Sequence, residues 1–172
     1  GAGPAGSAAA IQLRNAGLDT IVIDKSVFPR HAPGETFHPG IEPLLEQLGV
    51  EDLIVALDPL RHRGINIVQE SQRFYSPYNK GLNWRGFNLF RENFDQVLID
   101  KAIKLGVNFI SSCEPKSICL NDLGEVKTVT CDKIKVAPKF IIDATGRSGW
   151  TAKKLNIEYK KHSPNHISYY GY

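Results

Sequence analysis

The sequence predicts an α/β fold, in which helices alternate with buried strands. Three observations support this prediction. A glycine turn at residues 1–6 runs directly into a helix built from small residues. A β-branched strand at residues 20–24 follows that helix and ends in an acidic residue. An amphipathic helix at residues 91–105 then leads into a second run of short strands.

The first helix and strand have clear limits. Gly17 lies where the helix ends, because glycine readily adopts the left-handed conformation beyond a last helical turn. The run Thr20-Ile21-Val22-Ile23 is β-branched and apolar, which is typical of a buried strand. Asp24 therefore follows at the carboxyl end of the first predicted strand.

The middle of the chain interrupts this alternation. Residues 25–39 form a predicted loop that is rich in proline, glycine and histidine. A leucine-rich face predicts a helix at residues 41–48, and a second short helix follows at residues 51–57. The strands predicted in this part of the chain are residues 64–68, 73–75 and 88–90.

The second half returns to helix and strand. The helix at residues 91–105 ends at Gly106. The short strands predicted after it are residues 107–111, 117–120, 126–131 and 134–136. A last apolar strand is predicted at residues 139–143, directly before the turn Ala144-Thr145-Gly146.

Composition argues against several kinds of protein. The chain of 172 residues has a formal net charge of +3, and its basic residues are spread along the sequence. This pattern predicts neither nucleic-acid binding nor stable membrane insertion. Cys113, Cys119 and Cys131 lack the spacing of a zinc site, so no metal is predicted. With no secretory signal visible, we expect reduced, buried thiols in a cytoplasmic protein.

The glycine turn has the residues that a dinucleotide phosphate needs. Gly1 permits a tight turn, Gly3 allows the backbone to approach a pyrophosphate, and Gly6 allows close packing of helix on strand. The helix that follows presents unpaired amides and the positive end of its dipole. Asp24 lies at the expected distance to accept hydrogen bonds from ribose hydroxyls.

Three ordered motifs resemble one family. They are the glycine turn with Asp24, the run Arg91-Glu92-Asn93-Phe94-Asp95-Gln96-Val97-Leu98, and Asp143-Ala144-Thr145-Gly146. Together they resemble the FAD-binding framework of the hydroxylase-type flavoproteins, which include aromatic hydroxylases, flavin-dependent halogenases and geranylgeranyl-reductase-like enzymes. The resemblance covers essentially the whole chain. It implies FAD as cofactor, a small-molecule substrate, and NAD(P)H or a reduced flavin partner as electron source.

The resemblance also implies a domain organisation. We expect a Rossmann-like three-layer FAD-binding domain in two parts, residues 1–60 and 91–158. Residues 61–90 would be a partial β-rich insertion belonging to the substrate domain, and residues 159–172 the start of the substrate-binding domain. A dinucleotide-binding turn normally follows a buried strand, and none precedes Gly1. We therefore expect an excerpt that lacks the first strand, binds FAD poorly by itself and is inactive.

The resemblance assigns cofactor contacts to residues in three segments. Arg91 would neutralise phosphate charge, and Gly146 would permit close backbone approach. In the loop at residues 28–36, Glu35 or Thr36 would face the isoalloxazine ring. The full set of predicted cofactor-binding residues is Gly1, Gly3, Pro4, Ala5, Gly6, Asp24, Lys25, Arg30, Glu35, Thr36, Arg91, Ala144, Thr145 and Gly146.

No catalytic residue is assigned from the sequence. His31 and His38 are interpreted as polar loop residues, although histidine can carry acid–base chemistry. Tyr75, Trp84 and Phe87 are interpreted as core aromatics, with a substrate pocket as the alternative.

The resemblance leaves the reaction open among three branches. The preferred interpretation is a monooxygenase that acts through a flavin C4a-hydroperoxide. A halogenase of this superfamily needs a lysine at the start of the strand after the two short helices. Here His62 or Arg63 occupies that place, and arginine is not a substitute for a nucleophilic lysine. Halogenation is therefore the second interpretation, and reduction of an alkene of the geranylgeranyl type is the third.

Two rivals come from other classes of protein. A nicotinamide-dependent dehydrogenase would need regular strand–helix alternation after Asp24, and the irregular stretch from residue 25 to residue 90 argues against it. A folded fragment without catalytic activity is the other rival.

Overall fold

The computed structural model of the chain describes residues 1–78, 84–158, 160, 162–164, 167 and 169. Its α-helices are α1 (Pro4–Asn15), α2 (Glu42–Leu48), α3 (Glu51–Val55), α4 (Arg91–Lys104) and α5 (Trp150–Lys154). Its strands are β1 (Ile21–Ile23), β2 (Glu35–Phe37), β3 (Leu60–His62), β4 (Gly64–Gln69), β5 (Gln72–Pro77), β6 (Gly86–Leu89), β7 (Asn108–Ile110), β8 (Pro115–Leu120), β9 (Val126–Cys131) and β10 (Lys135–Val136).

A parallel pair of strands, β1 and β7, forms the middle of three layers. Val22 lies opposite Phe109, and both pack against the core of the helices. Ile23 lies opposite Ile110, and both pack against the second core under the antiparallel sheet β8–β9–β10. Successive side chains of a strand point to opposite faces, so each strand contributes to both cores. This arrangement confirms the predicted three-layer α/β fold.

The helical layer consists of α1 and α4 packed against each other. Ile11 of α1 and Leu98, Ile99 and Ala102 of α4 are fully or almost fully buried. Arg14, at the end of α1, donates from Nε to the carbonyl of Leu105 at 3.2 Å. Helix α1, which follows the glycine turn, is therefore packed firmly against α4.

The insertion between the two halves is β-rich, as expected. Strands β2, β6 and β3 form one antiparallel sheet, and β4 and β5 form a separate hairpin. Phe37 of β2 lies between Phe87 of β6 and Phe94 of α4, with ring centroids 5.0 and 4.6 Å away. These rings anchor the sheet to α4.

Two short strands were not predicted. Strand β2 lies inside the predicted loop at residues 25–39, and β3 lies between the predicted helix at residues 51–57 and the next predicted strand. Both pair with β6. Each has only three residues, so its conformation depends on the partner strand and not on a local pattern.

The strand predicted at residues 139–143 is wrong. These residues have no ladder partner among the residues that the structure describes, and the side chain of Phe140 is 89% exposed. An apolar run becomes a buried strand only when a neighbouring strand binds its backbone.

The prediction of buried thiols is confirmed for Cys113 and Cys131 and wrong for Cys119, which is exposed on β8. Burial, which has the largest effect, and the neighbouring Cys113 raise the pKa of Cys131 to about 11. The Cys131 thiol is therefore neutral near pH 7.

Most of the predicted start of a further domain, residues 159–172, lies outside the described residues. Within the part of the chain that the structure describes, every helix is too short or too polar to cross a membrane.

Candidate cofactor site

The glycine turn lies at the carboxyl end of β1. The Gly1 nitrogen donates to the carbonyl of Ile23 at 2.9 Å. A Cβ at Gly1 would lie 2.2 Å from the carbonyl oxygen of Ala144, and one at Gly6 would lie 1.8 Å from the Gly1 oxygen. Side chains are impossible at both positions without backbone movement. The two glycines thus let the turn, the helix and residue 144 approach one another closely.

The N-terminus of α1 faces a guanidinium group. Gly3 is the N-cap residue, no side chain caps the helix, and Pro4 occupies the first turn. A Cβ at Gly3 would lie 2.9 Å from Nη2 of Arg30. The first turn of a helix carries amides without intrahelical partners and the positive end of the dipole. A cation beside such a helix end forms an anion-binding site.

Asp24 is buried and positioned by backbone amides. Its Oδ2 accepts from the Ala2 amide at 2.7 Å, and its Oδ1 accepts from the Ser26 amide at 2.8 Å. Arg30 Nη1 lies 3.6 Å from Oδ2. Burial alone would raise the pKa of Asp24, but the two amides and the charge of Arg30 lower it below its ordinary value. The carboxylate is therefore charged near pH 7.

A buried carboxylate, Asp95, joins both arginines of the site. Arg91 donates to it from Nε and Nη2, at 2.9 and 3.1 Å, and Arg30 donates from Nη2 at 3.1 Å. The Asp95 side chain has no exposed surface. Arg91 also donates from Nη1 to Glu35 at 3.2 Å, which ties α4 to β2.

Arg91 is held in its charged form. Burial acts to lower the pKa of Arg91, but the hydrogen bonds and charge of Asp95, together with Glu35, raise it above its ordinary value. Asp24, Asp95 and Glu35 offset the charges of Arg30 and Arg91 within this network. Both guanidinium groups are consequently fixed before any ligand arrives.

One buried polar atom of the network lacks a partner. Within the described residues, Nε of Arg30 is buried and makes no hydrogen bond. An unpaired buried donor costs about 1–3 kcal/mol. Together with the uncapped helix end at Gly3, it fits an anionic group such as the pyrophosphate of FAD.

The third predicted segment is a turn organised by Asp143. Its Oδ1 accepts from the Thr145 amide at 2.9 Å and from the Thr145 hydroxyl at 2.5 Å, and its Oδ2 accepts from the Thr151 amide at 2.7 Å. Burial by itself would raise the pKa of Asp143, but the hydrogen bonds from Thr145 and Thr151 lower it below its ordinary value. Gly146 has φ +62° and opens a 3₁₀ turn, so this conformation favours glycine.

The structure brings most of the predicted cofactor residues into one region. Contacts join Gly1, Gly3, Gly6, Asp24, Arg30 and Ala144, and ion pairs extend the set to Arg91 and Glu35. Ala5 and Lys25 are exposed, and Thr36 pairs with Asn88 through the backbone. Their predicted cofactor contacts stay predictions, as do those of the whole set.

Sequence reasoning missed two carboxylates. Asp95 belongs to the second motif, but the motif assigns it no role, and Asp143 is predicted only as the end of a strand. One available signal was the position of Asp95 next to Phe94 on the buried face of α4, four residues after Arg91. An acid on an apolar helix face needs a partner, since a buried charge is costly when unpaired.

Comparisons with known proteins agree with this geometry. The family model described as FAD binding domain matches residues 1–169. A tryptophan 2-halogenase of Chondromyces crocatus is 28% identical over 157 residues, which cover 88% of this chain and 30% of that protein. The crystal structure of CmlS, a flavin-dependent halogenase, has 28% sequence identity and a TM-score of 0.81, covering 91% of this chain and 30% of that one.

A third comparison concerns the fold alone. The structure of pqsL, a probable FAD-dependent monooxygenase from Pseudomonas aeruginosa, has a TM-score of 0.79 at 13% identity. The match covers 95% of this chain and 46% of that chain.

The fold, the glycine turn and the family match define a flavoprotein cofactor domain. The chain belongs to the FAD binding domain family, and FAD is its cofactor. Flavin-dependent halogenases are among the proteins to which it is similar. It spans less than half the length of the relatives that it matches.

Proposed function

We propose that this chain holds the pyrophosphate and adenosine half of FAD in an FAD-dependent oxidoreductase. One observation carries the proposal. Arg30 lies directly over Gly3 at the uncapped end of α1, so a fixed cation and a helix N-terminus point to the same space. The two phosphates of FAD are the group that this arrangement would bind.

Two carboxylates would have different roles around the cofactor. Asp24 accepts hydrogen bonds from two backbone amides. A carboxylate offers about four acceptor sites, so Asp24 can still accept hydrogen bonds from ribose hydroxyls. Asp95 would not touch FAD and would instead hold Arg30 and Arg91 in place. When bound, FAD supplies two-electron redox chemistry with NAD(P)H or a reduced flavin partner as electron source.

The proposed reaction is oxygenation of an organic substrate. The support comes from the side chains in and directly after β3, which is the place where a halogenase of this superfamily needs a lysine. Arg61 forms an ion pair with Glu42 and lies over the ring of Phe87, with its guanidinium carbon 5.1 Å from the centroid. His62 lies beside the ring of Tyr78, with ring centroids 5.4 Å apart, and Arg63 is exposed. None of these three side chains is a nucleophilic amine.

Halogenation is the second candidate, and a specific observation favours it. The relatives that match across most of the chain include the Chondromyces crocatus tryptophan 2-halogenase and CmlS. If the nucleophile lies elsewhere in the protein, the FAD site described above would serve that reaction equally well.

Product analysis separates the two candidates. The full-length protein, loaded with FAD, is reduced under air with a panel of aromatic compounds, with and without bromide, and the products are identified by mass spectrometry. We expect hydroxylated products whose yield does not depend on bromide. Brominated products would instead establish the halogenase, and heat-treated protein is the control.

Alanine in place of Gly3 tests the anion site. The new Cβ would meet only the flexible end of Arg30, so the fold is expected to remain. The guanidinium would be displaced from the helix end, and loss of one charge-assisted contact is worth about 1.5–3 kcal/mol. We therefore expect FAD affinity to fall by about tenfold or more in a fluorescence titration. Unchanged affinity would contradict the assignment of Arg30 and Gly3 to the phosphates.

A further inference from the structure

The loop between β1 and β2 carries Arg30 without support from a helix or a strand. Residues 24–34 have no regular secondary structure. Arg91, in contrast, is held by the first turn of α4. An arginine side chain has several rotatable bonds, and fixing it costs conformational entropy. The contacts that position Arg30 must therefore come from the side chains around it.

Phe28 anchors this loop to the parallel strand pair. Its ring lies edge-on to the ring of Phe109 on β7, with centroids 5.4 Å apart and an interplanar angle of 85°. This edge-to-face arrangement is a favourable geometry for two aromatic rings. Phe28 is also partly buried against the core of the helices. The ring is thereby fixed to the middle layer of the fold.

The guanidinium of Arg30 lies over the ring of Phe28. Its central carbon is 5.1 Å from the ring centroid. A cation within about 6 Å of an aromatic centroid is attracted by the negative face of the ring, and the planar guanidinium can also stack there. Contacts between Phe109, Phe28 and Arg30 thus connect the arginine to the sheet.

The ring complements the two carboxylates beside Arg30. Nη2 donates to Asp95 at 3.1 Å, and Nη1 lies 3.6 Å from Oδ2 of Asp24. These ion pairs engage the terminal nitrogens, whereas contact with a ring face uses none of the five N–H donors of arginine. Nε is buried and makes no hydrogen bond within the described residues. Phe28 therefore restrains the guanidinium while leaving donors available for an anion.

We propose that Phe28 is a positioning residue for the pyrophosphate of FAD, and that it acts through Arg30. The ring holds the guanidinium beside Gly3, where a Cβ would lie 2.9 Å from Nη2. Binding of the phosphates then does not have to order a flexible side chain, which would reduce the affinity. This inference rests on the proposed function, because Arg30 must contact the phosphates for Phe28 to matter.

The test compares FAD and riboflavin as ligands of the full-length apoprotein. Phe28→Leu keeps most of the apolar volume and removes the ring face. We expect it to weaken FAD by about three- to tenfold, the cost of ordering one long side chain, and to leave riboflavin unchanged. Phe28→Tyr keeps the ring face and should bind FAD like wild type. The matched control is Phe37→Leu, a partly buried ring on the same core that packs on Phe87 and Phe94, and it should leave the ratio of the two affinities unchanged.

A double-mutant cycle with Arg30 separates positioning from packing. The guanidinium is absent in an Arg30→Gln background, so Phe28→Leu should cause no further loss of FAD affinity there. Full additivity of the two losses would overturn the inference. A Phe28→Leu protein that loses FAD and riboflavin equally would overturn it as well. If circular dichroism shows that Phe28→Leu does not fold, Phe28→Met, which is apolar and has no ring, is carried through the same titrations with the same expected results.

The same titrations distinguish failure of this inference from failure of the proposed function. If Arg30→Gln weakens FAD and Phe28→Leu does not, the role of Phe28 is wrong and the phosphate site remains. If the wild-type protein binds FAD and riboflavin equally well, or Arg30→Gln changes neither affinity, the proposed function is wrong.

Discussion

Alanine in place of Gly6 is expected to destabilise the protein by at least about 3 kcal/mol, near the upper end for an overpacked site. In an ordinary helix this change is favourable by roughly 1 kcal/mol. Here the new Cβ would lie 1.8 Å from the carbonyl oxygen of Gly1 and 3.1 Å from Cβ of Ala144. The first contact is with backbone, so the turn itself must move.

Urea unfolding followed by circular dichroism measures the effect of Gly6→Ala. The matched variant is Gly3→Ala in the same turn, where the new methyl group meets only the far end of the Arg30 side chain and no backbone atom. We expect the first variant to unfold at a much lower urea concentration and the second to unfold close to wild type. Equal midpoints for all three proteins would show that the turn is not packed as described.

Asparagine in place of Asp95 is expected to cost about 3 kcal/mol, the lower end of the range for breaking a buried ion pair. The lower end applies because Arg30 and Arg91 each keep some exposed side-chain surface. The amide of asparagine cannot accept from both guanidinium groups as the carboxylate does. The two cations would also repel each other without the intervening negative charge.

The matched control is Asp100→Asn on the same helix, because Asp100 is exposed and its side chain accepts from the side-chain amide of Gln96. Urea unfolding gives the stability, and FAD titration tests whether Asp95 positions the arginines. We expect Asp95→Asn to lose stability and FAD affinity together, while Asp100→Asn changes neither. A variant at Asp95 that binds FAD like wild type would contradict the positioning role.

The elements that could be predicted from the sequence are those whose signal is local. Helices α1 and α4 have apolar faces at helical spacing and glycines at their ends, and β1 is a β-branched run. The glycine turn was predictable for the same reason, because each glycine is needed for a tight turn or a close approach of the local backbone. Close approach of Gly1 and Gly6 in the structure agrees with that interpretation.

The elements that could not be predicted depend on distant partners. The sequence of β2 predicts a loop, and these residues form a strand because their backbone pairs with β6. The run at residues 139–143 reads as a strand, although it has no ladder partner among the described residues. Pairing between strands is a tertiary contact, and a three-residue segment carries too little pattern to indicate it.

The ion pairs of Arg30 and Arg91 with Asp95 could likewise be predicted only where the partners are close in sequence. Arg91 and Asp95 are four residues apart on one helix, which a helical pattern can indicate. Arg30 reaches Asp95 from 65 residues earlier in the chain, and no local pattern joins them. The sequence thus predicted the arginines as cofactor residues but not the carboxylate that fixes both.

Titration of the full-length apoprotein with FAD and with riboflavin tests the central claim most directly, because riboflavin lacks the phosphates and the adenosine. We expect FAD to bind more tightly than riboflavin by on the order of 100-fold, from a few charge-assisted hydrogen bonds. Arg30→Gln should weaken FAD by about tenfold or more and leave riboflavin unchanged. Equal affinities for the two flavins, or an Arg30→Gln variant that binds FAD like wild type, would contradict the claim that Gly3 and Arg30 hold the pyrophosphate.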